Sequence, residues 1–131
     1  MPVPLGANHE ENLQVTEDMA ISFLGPGAAR VLSTPHLIGF LEMTARNLIK
    51  QFVEPGEDSV GTLVNVRHLA ATPIGMHIRL RAEIVSVEGR RVLCRVDGWD
   101  DREKIGEGMH ERFVVDVERF GLRVRAKSAG Q

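Results

Sequence analysis

The sequence predicts an α+β fold: an antiparallel sheet packed on one long helix, with a short helix at the C-terminus. Three observations carry this prediction. Apolar residues recur at helical spacing between Ser33 and Gln51. From Gly61 to Asp116 the period changes to two, interrupted at turn-forming residues. No other stretch reads as a long helix, so the Ser33–Gln51 segment is the cover that the sheet's apolar face requires. At 131 residues the chain is read as a single domain, 1–131.

Taken in order, residues 1–12 are polar and contain prolines, and are expected to be flexible. Leu13 to Phe23 alternates weakly and reads as a first strand. Leu24 to Leu32 (LGPGAARVL) is a loop around Gly25-Pro26-Gly27, apolar enough to cover a pocket mouth. Thr34 is the expected N-cap of the long helix, with Pro35 at the first helical position, where its missing N–H costs nothing. Leu37, Ile38, Leu41, Ala45, Leu48 and Ile49 form its buried stripe, and Gly39 is read as a point of close approach to the sheet. Pro55-Gly56 ends the helix near Val53.

Four strands follow. Gly61 to Thr72 alternates, with Val64, Val66, His68 and Ala70 on its inward side. Met76 to Val87 and Arg91 to Asp100 are joined by the tight turn Glu88-Gly89-Arg90. Lys104 to Asp116 contains Gly106 and Gly108, which permit a bulge or a close backbone approach. Val117, Phe120 and Val124 then predict a helix over Val117–Lys127. Two arrangements fit: a sheet wrapped around a central helix, or a curved sheet closed into a cone.

Composition excludes several classes. A net charge of -2 without a basic block argues against a nucleic-acid partner. The single cysteine, Cys94, permits no internal disulfide and fits a reducing compartment. The start has no signal-peptide pattern, and Ala20 to Leu41 is interrupted by Gly25, Pro26, Gly27 and Pro35, so no membrane helix is expected. A cytoplasmic protein is the reading. His9, His36, His77 and His110 lack ligand spacing with one another or with Cys94, so no metal is expected. Gly106-Glu107-Gly108 lacks the third glycine and the following helix of a dinucleotide loop. Arg90, Arg91, Arg123, Arg125 and Lys127 are either solvated or placed to hold anionic groups such as a nucleotide phosphate.

Chemistry points to three residues. Glu42 falls on or beside the helix's apolar stripe, where a carboxylate needs a partner or acts as a base or nucleophile in a dry pocket. His68 sits on the inward side of its strand, where a histidine is either structural or a proton carrier. Thr34 adds a hydroxyl at a helix N-terminus, whose free N–H groups favour a developing oxyanion. A hydroxyl, a carboxylate and an imidazole together make a nucleophile, a base and an orienting group.

With these residues in place, the sequence resembles the fluoroacetyl-CoA thioesterase family, whose fold is the hot-dog fold. The runs EPGEDSVGT (54–62), HLAATPIG (68–75), SVEGRR (86–91), EKIGEGMHER (103–112) and VERFGLRVRAK (117–127) carry most of the likeness. It extends back through STPHLIGFLEMTA (33–45), with the threonine and glutamate in register. The resemblance implies an antiparallel sheet around a central helix, a homodimer, and hydrolysis of an acyl-CoA thioester, with no cofactor expected. Thr34, Glu42 and His68 match the family's catalytic residues. Gly61 matches a glycine whose backbone helps bind the thioester carbonyl or the acyl group, and Arg112 matches an active-site arginine. In such a dimer Glu42 and His68 need not meet within one chain. The stretch LGPGAARVL departs from the family's phenylalanine-bearing lid. His36 replaces an apolar residue just inside the helix and is counted as substrate-binding. The expectation is therefore an acyl-CoA thioesterase without fluoroacetyl selectivity. The alternative is a non-catalytic acyl-CoA or small-ligand binding protein on the same fold.

Overall fold

In the computed structural model, which describes residues 3–130, one helix serves as the axis of the molecule. This is α1, Thr34–Lys50, and it touches all five strands of a single sheet. The strands are β1 (Asn8–Gln14), β2 (Glu57–His68), β3 (His77–Glu88), β4 (Arg91–Asp100) and β5 (Lys104–Asp116). They lie in the order β1-β3-β4-β5-β2, every neighbouring pair antiparallel. A second helix, α2, spans Val117–Ala129. Leu37, Leu41, Ala45, Leu48 and Ile49 of α1 are fully buried against the inward residues of β3, β4 and β5. A sheet wrapped around a helix, rather than a cone, is thus the arrangement adopted.

The alternating strands are where the sequence puts them, because period-two burial fixes which face meets the helix. Gly108 has the role expected of it: a Cβ there would overlap the Asn65 carbonyl oxygen of β2, so no other residue fits without moving the backbone.

Other expectations are corrected. The segment expected to be flexible carries β1, whose Asn8 to Gln14 pair with β3, and Val3 is buried in the core. The expected strand Leu13–Phe23 is broken after Gln14 by a 3-10 turn, Glu17–Met19. Its polar letters gain strand structure only from the β3 edge they lie against. β2 runs Glu57–His68 rather than Gly61–Thr72, and Val64 is exposed. Gly39 does not face the sheet. A Cβ there would meet nothing within 4 Å, and the residue lines a shallow outer groove with Pro35, His36, Phe40 and Met43.

The helix cap is also corrected, with a consequence for chemistry. Ser33, not Thr34, is the N-cap: its hydroxyl accepts from the His36 N–H at 3.2 Å. Thr34 becomes the first helical residue and Pro35 stays within the first turn, where its missing N–H still costs nothing. The Thr34 hydroxyl is thereby released from capping.

Candidate active site

At the start of α1 the released hydroxyl finds a partner. Thr34 Oγ1 and His68 Nδ1 share a hydrogen bond of 2.8 Å. His68 is half-buried at the end of β2, and its Nε2 is buried with no partner among the described residues. Burial pushes the His68 imidazole below its ordinary value of 6.5, since desolvation disfavours the charged ring. Both side chains line a cavity of ≈ 390 Å³ that Ile21, Phe23 and Val31 of the preceding loop also line. The two ends of the apolar loop thus flank the pair, and Phe23, 80% exposed, places an aromatic at the cavity rim.

A second cluster surrounds Gly61. A Cβ on Gly61 would stand 3.1 Å from Glu42 Oε2, 3.2 Å from His110 Cε1 and 3.6 Å from Arg112 Nη1. Glu42 sits at the edge of the core stripe, its side chain 37% exposed. It faces the Arg112 guanidinium at 3.9 Å, a loose ion pair. Arg112 itself is buried and tightly held. Its Nε donates to Ser59 Oγ and its Nη2 to the Ser59 carbonyl, both at 2.7 Å. The strand ladder skips Thr62 beside Gly61, a bulge of the kind that re-aims groups next to sites.

His110 completes this cluster, and the sequence reading assigned it no role. Its Nδ1 lies 2.8 Å from the Leu63 carbonyl, which only accepts, so Nδ1 carries the proton. Nε2 is then an acceptor, and Arg112 Nη1 donates to it at 3.1 Å. Burial again lowers the imidazole pKa, and the adjacent Arg112 charge lowers it further, which keeps the ring in this neutral tautomer. The signal that could have found it is spacing: His110 and Arg112 are two apart on β5, hence on one face.

The two clusters are separate within the chain. Thr34 and Glu42 are roughly 12 Å apart along the helix axis, and Gly61 and His68 roughly 23 Å apart along β2. Among the six residues singled out, the structure joins Thr34 to His68 and Glu42 to Gly61 and Arg112. His36 joins neither: its Nδ1 lies 2.6 Å from Ser33 Oγ, and its ring lines the outer groove of α1. Cys94 is buried and its thiol is pushed up to about 12, so it stays protonated and inert.

Comparisons with known proteins agree with this architecture. The profile of a family described as fluoroacetyl-CoA-specific thioesterase (FlK) matches residues 15–118. The fluoroacetyl-CoA thioesterase of Streptantibioticus cattleyicolor is 42% identical over 98 residues, which is 75% of this chain and 70% of that protein. A solved structure of the fluoroacetyl-CoA thioesterase FlK superposes with a TM-score of 0.88 at 34% identity, covering 97% of this chain and 98% of that one. A Thermus thermophilus protein described as a thioesterase superfamily member gives 0.86 at 29% identity, covering 99% and 98%. The fold is the hot-dog fold of these thioesterases. A profile match over most of the chain, with relatives that superpose along nearly all of it, makes this protein a member of the fluoroacetyl-CoA-specific thioesterase family.

Proposed function

We propose that the protein hydrolyses acyl-CoA thioesters to free acid and CoA, as a cytoplasmic homodimer without fluoroacetyl selectivity. Family membership supports the reaction class. The observation that carries the site assignment is the Thr34–His68 hydrogen bond opening into the 390 Å³ cavity.

What the single chain leaves open supports the dimer reading. β2 is an edge strand whose middle, Gly61 to Asn65, is exposed, with Leu63 and Val64 on opposite faces. Such an edge is a template for a further strand. If β2 pairs antiparallel with its copy about a two-fold axis between Val64 and Asn65, His68 of one chain lies opposite Gly61 of the other. That closes the 23 Å gap and brings the hydroxyl–imidazole pair to the carboxylate–guanidinium cluster. The apolar groove left beside Gly39 offers the second copy a further contact.

In the assembled site the thioester carbonyl lies near the Gly61 backbone, with Arg112 behind Glu42. An oxygen nucleophile bonds to the carbonyl carbon, and the C–S bond breaks as the CoA thiolate leaves. That nucleophile is Thr34 Oγ1, the Glu42 carboxylate or a water held by one of them. His68, neutral because burial lowers its pKa, takes the proton of the attacking hydroxyl or water and passes it to the thiolate. On the covalent routes a water, deprotonated in turn by His68, then cleaves the Thr34 ester or Glu42 anhydride to release the free acid. Where Glu42 attacks, that water's proton is the one the thiolate receives. Thiolate leaves readily, so orientation matters more than strong acid catalysis. Rapid quenching followed by mass spectrometry of the protein separates the routes: an acyl group on Thr34 or Glu42 marks the covalent ones.

Selectivity is read from the loop. Residues 24–32 carry no aromatic, and Phe23 alone stands at the cavity rim. A short- or medium-chain acyl group, or an aromatic one, suits this opening at least as well as fluoroacetyl. The test is free-CoA release from a panel of acyl-CoA esters by the wild type and by Glu42→Gln. Release that collapses in the folded variant supports the proposal; no release from any ester ends it. Strong preference for fluoroacetyl-CoA over acetyl-CoA would overturn the selectivity reading, and a monomeric mass in sedimentation the dimer.

A further inference from the structure

α2 is an anomaly. None of its residues is buried, although it carries Val117, Leu122 and Val124, all more than half exposed. It also carries Arg119, Arg123, Arg125 and Lys127 against one Glu118, a net +3 (four less one) in a chain of net charge -2. At its base lies a groove of ≈ 410 Å³ whose walls include Arg90, Arg119 and Arg123 together with Phe113 and Leu122. Arg119 and Arg123 have no carboxylate within ion-pair distance among the described residues. Arg90 is paired with Glu57 at 2.9 Å yet remains half-exposed. The one carboxylate in the groove, Asp116, is engaged as the cap of α2, accepting from the Arg119 N–H at 3.0 Å.

Three guanidinium groups around an apolar floor match a purine nucleotide: phosphates on the arginines, the base against Phe113 and Leu122. We propose that this groove is the subsite for the 3′-phosphorylated adenosine diphosphate end of CoA. The inference rests on the acyl-CoA reading above and says where the far end of that substrate lies. Position supports it. The groove begins at Phe113, the residue after Arg112, and runs to Asp116, roughly 10 Å along β5. Alternation puts Phe113 on the sheet face opposite Arg112. The Glu57–Asp116 end of the sheet is therefore where the pantetheine arm passes from the buried carbonyl site to the outer face, with Arg90 anchored to Glu57 at that corner.

The experiment compares the wild type with the double variant Arg119→Ala, Arg123→Ala. Both positions are exposed and outside the core, so the fold is retained. Two substrates are used: acetyl-CoA, and S-acetylpantetheine, which lacks the nucleotide. The expected result is a KM for acetyl-CoA raised about tenfold or more, the loss of one to two charge-assisted hydrogen bonds, with kcat retained and S-acetylpantetheine hydrolysis unmoved. An unchanged KM, or an equal change for both substrates, overturns the subsite. Calorimetry with adenosine 3′,5′-bisphosphate gives the second reading: binding by the wild type that is lost in the variant supports it. Binding that survives the double substitution, no binding at all, or equal displacement by inorganic phosphate overturns it. If neither thioester is hydrolysed by the wild type, the thioesterase reading fails, and the calorimetry still decides the groove.

Discussion

The two ends of β2 are built on opposite principles. At the Gly61 end the buried polar side chains are tied: Arg112 makes three hydrogen bonds, and His110 is held by both ring nitrogens, with the partly exposed Glu42 facing them. At the His68 end a single bond to Thr34 leaves the second ring nitrogen buried and unpaired among the described residues, in a cavity with the exposed Phe23 at its rim. The same residue type is thus a strut in one place and an unfinished contact in the other. A group meant to offer fixed charge gains from being locked before substrate arrives. A group meant to move a proton must keep a position free for the partner it exchanges with.

Glu42→Gln tests this contrast with the largest expected effect. The carboxylate is partly exposed and its ion pair with Arg112 is loose, so its removal should leave thermal stability nearly unchanged. Activity should fall by about 10²-fold or more in kcat/KM, the size typical of losing a positioned base. A comparable fall in both activity and stability would make Glu42 a structural counter-ion instead. The next effect separates the histidines. His110→Ala leaves the Leu63 carbonyl and the Arg112 guanidinium short of a partner in a buried place, and should cost about 3 kcal/mol in urea unfolding. His68→Ala removes a ring with one bond and an orphaned nitrogen, so it should cost about 1 kcal/mol or less while abolishing most activity. Equal costs would erase the distinction between the two ends.

How much of this was legible in the sequence divides along the same line. β3, β4 and β5 were readable because alternating burial writes itself into the letters. The stripe of α1 was readable for the same reason at period 3.6. β1 was not, since Leu13 is the one apolar residue of Asn8 to Gln14 and the segment is made a strand by the β3 edge beside it. The Ser33 cap was missed because Ser-Thr-Pro offers two hydroxyls at adjacent positions, and only backbone geometry chooses between them. That one-residue shift converts Thr34 from a cap into a partner of His68. The separation of Glu42 from His68 was foreseen only through family resemblance. Their sequence positions say nothing of distance, and in the proposed dimer it is the second chain that closes the gap.

A smaller effect comes from pH. Burial lowers the pKa of both His68 and His110 below the ordinary 6.5. The unfolded chain therefore binds more protons than the folded one once pH falls below that value. Stability is full above about pH 6.5 and declines as pH drops through the lowered folded pKa values. His110→Gln, which cannot protonate, should flatten this decline, as measured by unfolding midpoints across pH 5 to 8. In the proposed mechanism His68 instead governs the rate: the acid limb of kcat/KM should lie below 6.5, because burial keeps the ring neutral to lower pH than a free imidazole. A limb above 6.5 would mean that a carboxylate stabilises the imidazolium in the assembled site.

Phe23→Ala should give the smallest change and bears on the open end alone. At 80% exposure its loss should alter stability by no more than about 0.5 kcal/mol. Its ring lines the cavity that holds Thr34 and His68, so what it touches is substrate or solvent rather than core. An apolar contact of this kind favours the longer acyl chain. The ratio of kcat/KM for hexanoyl-CoA to that for acetyl-CoA should therefore fall by about threefold to tenfold in the variant, as for a lost methylene-scale contact. A ratio that rises instead would mean that the ring obstructs the longer chain, making the loop a gate that selects against size. An unchanged ratio would detach Phe23 from the acyl group altogether and leave selectivity to the locked end of β2.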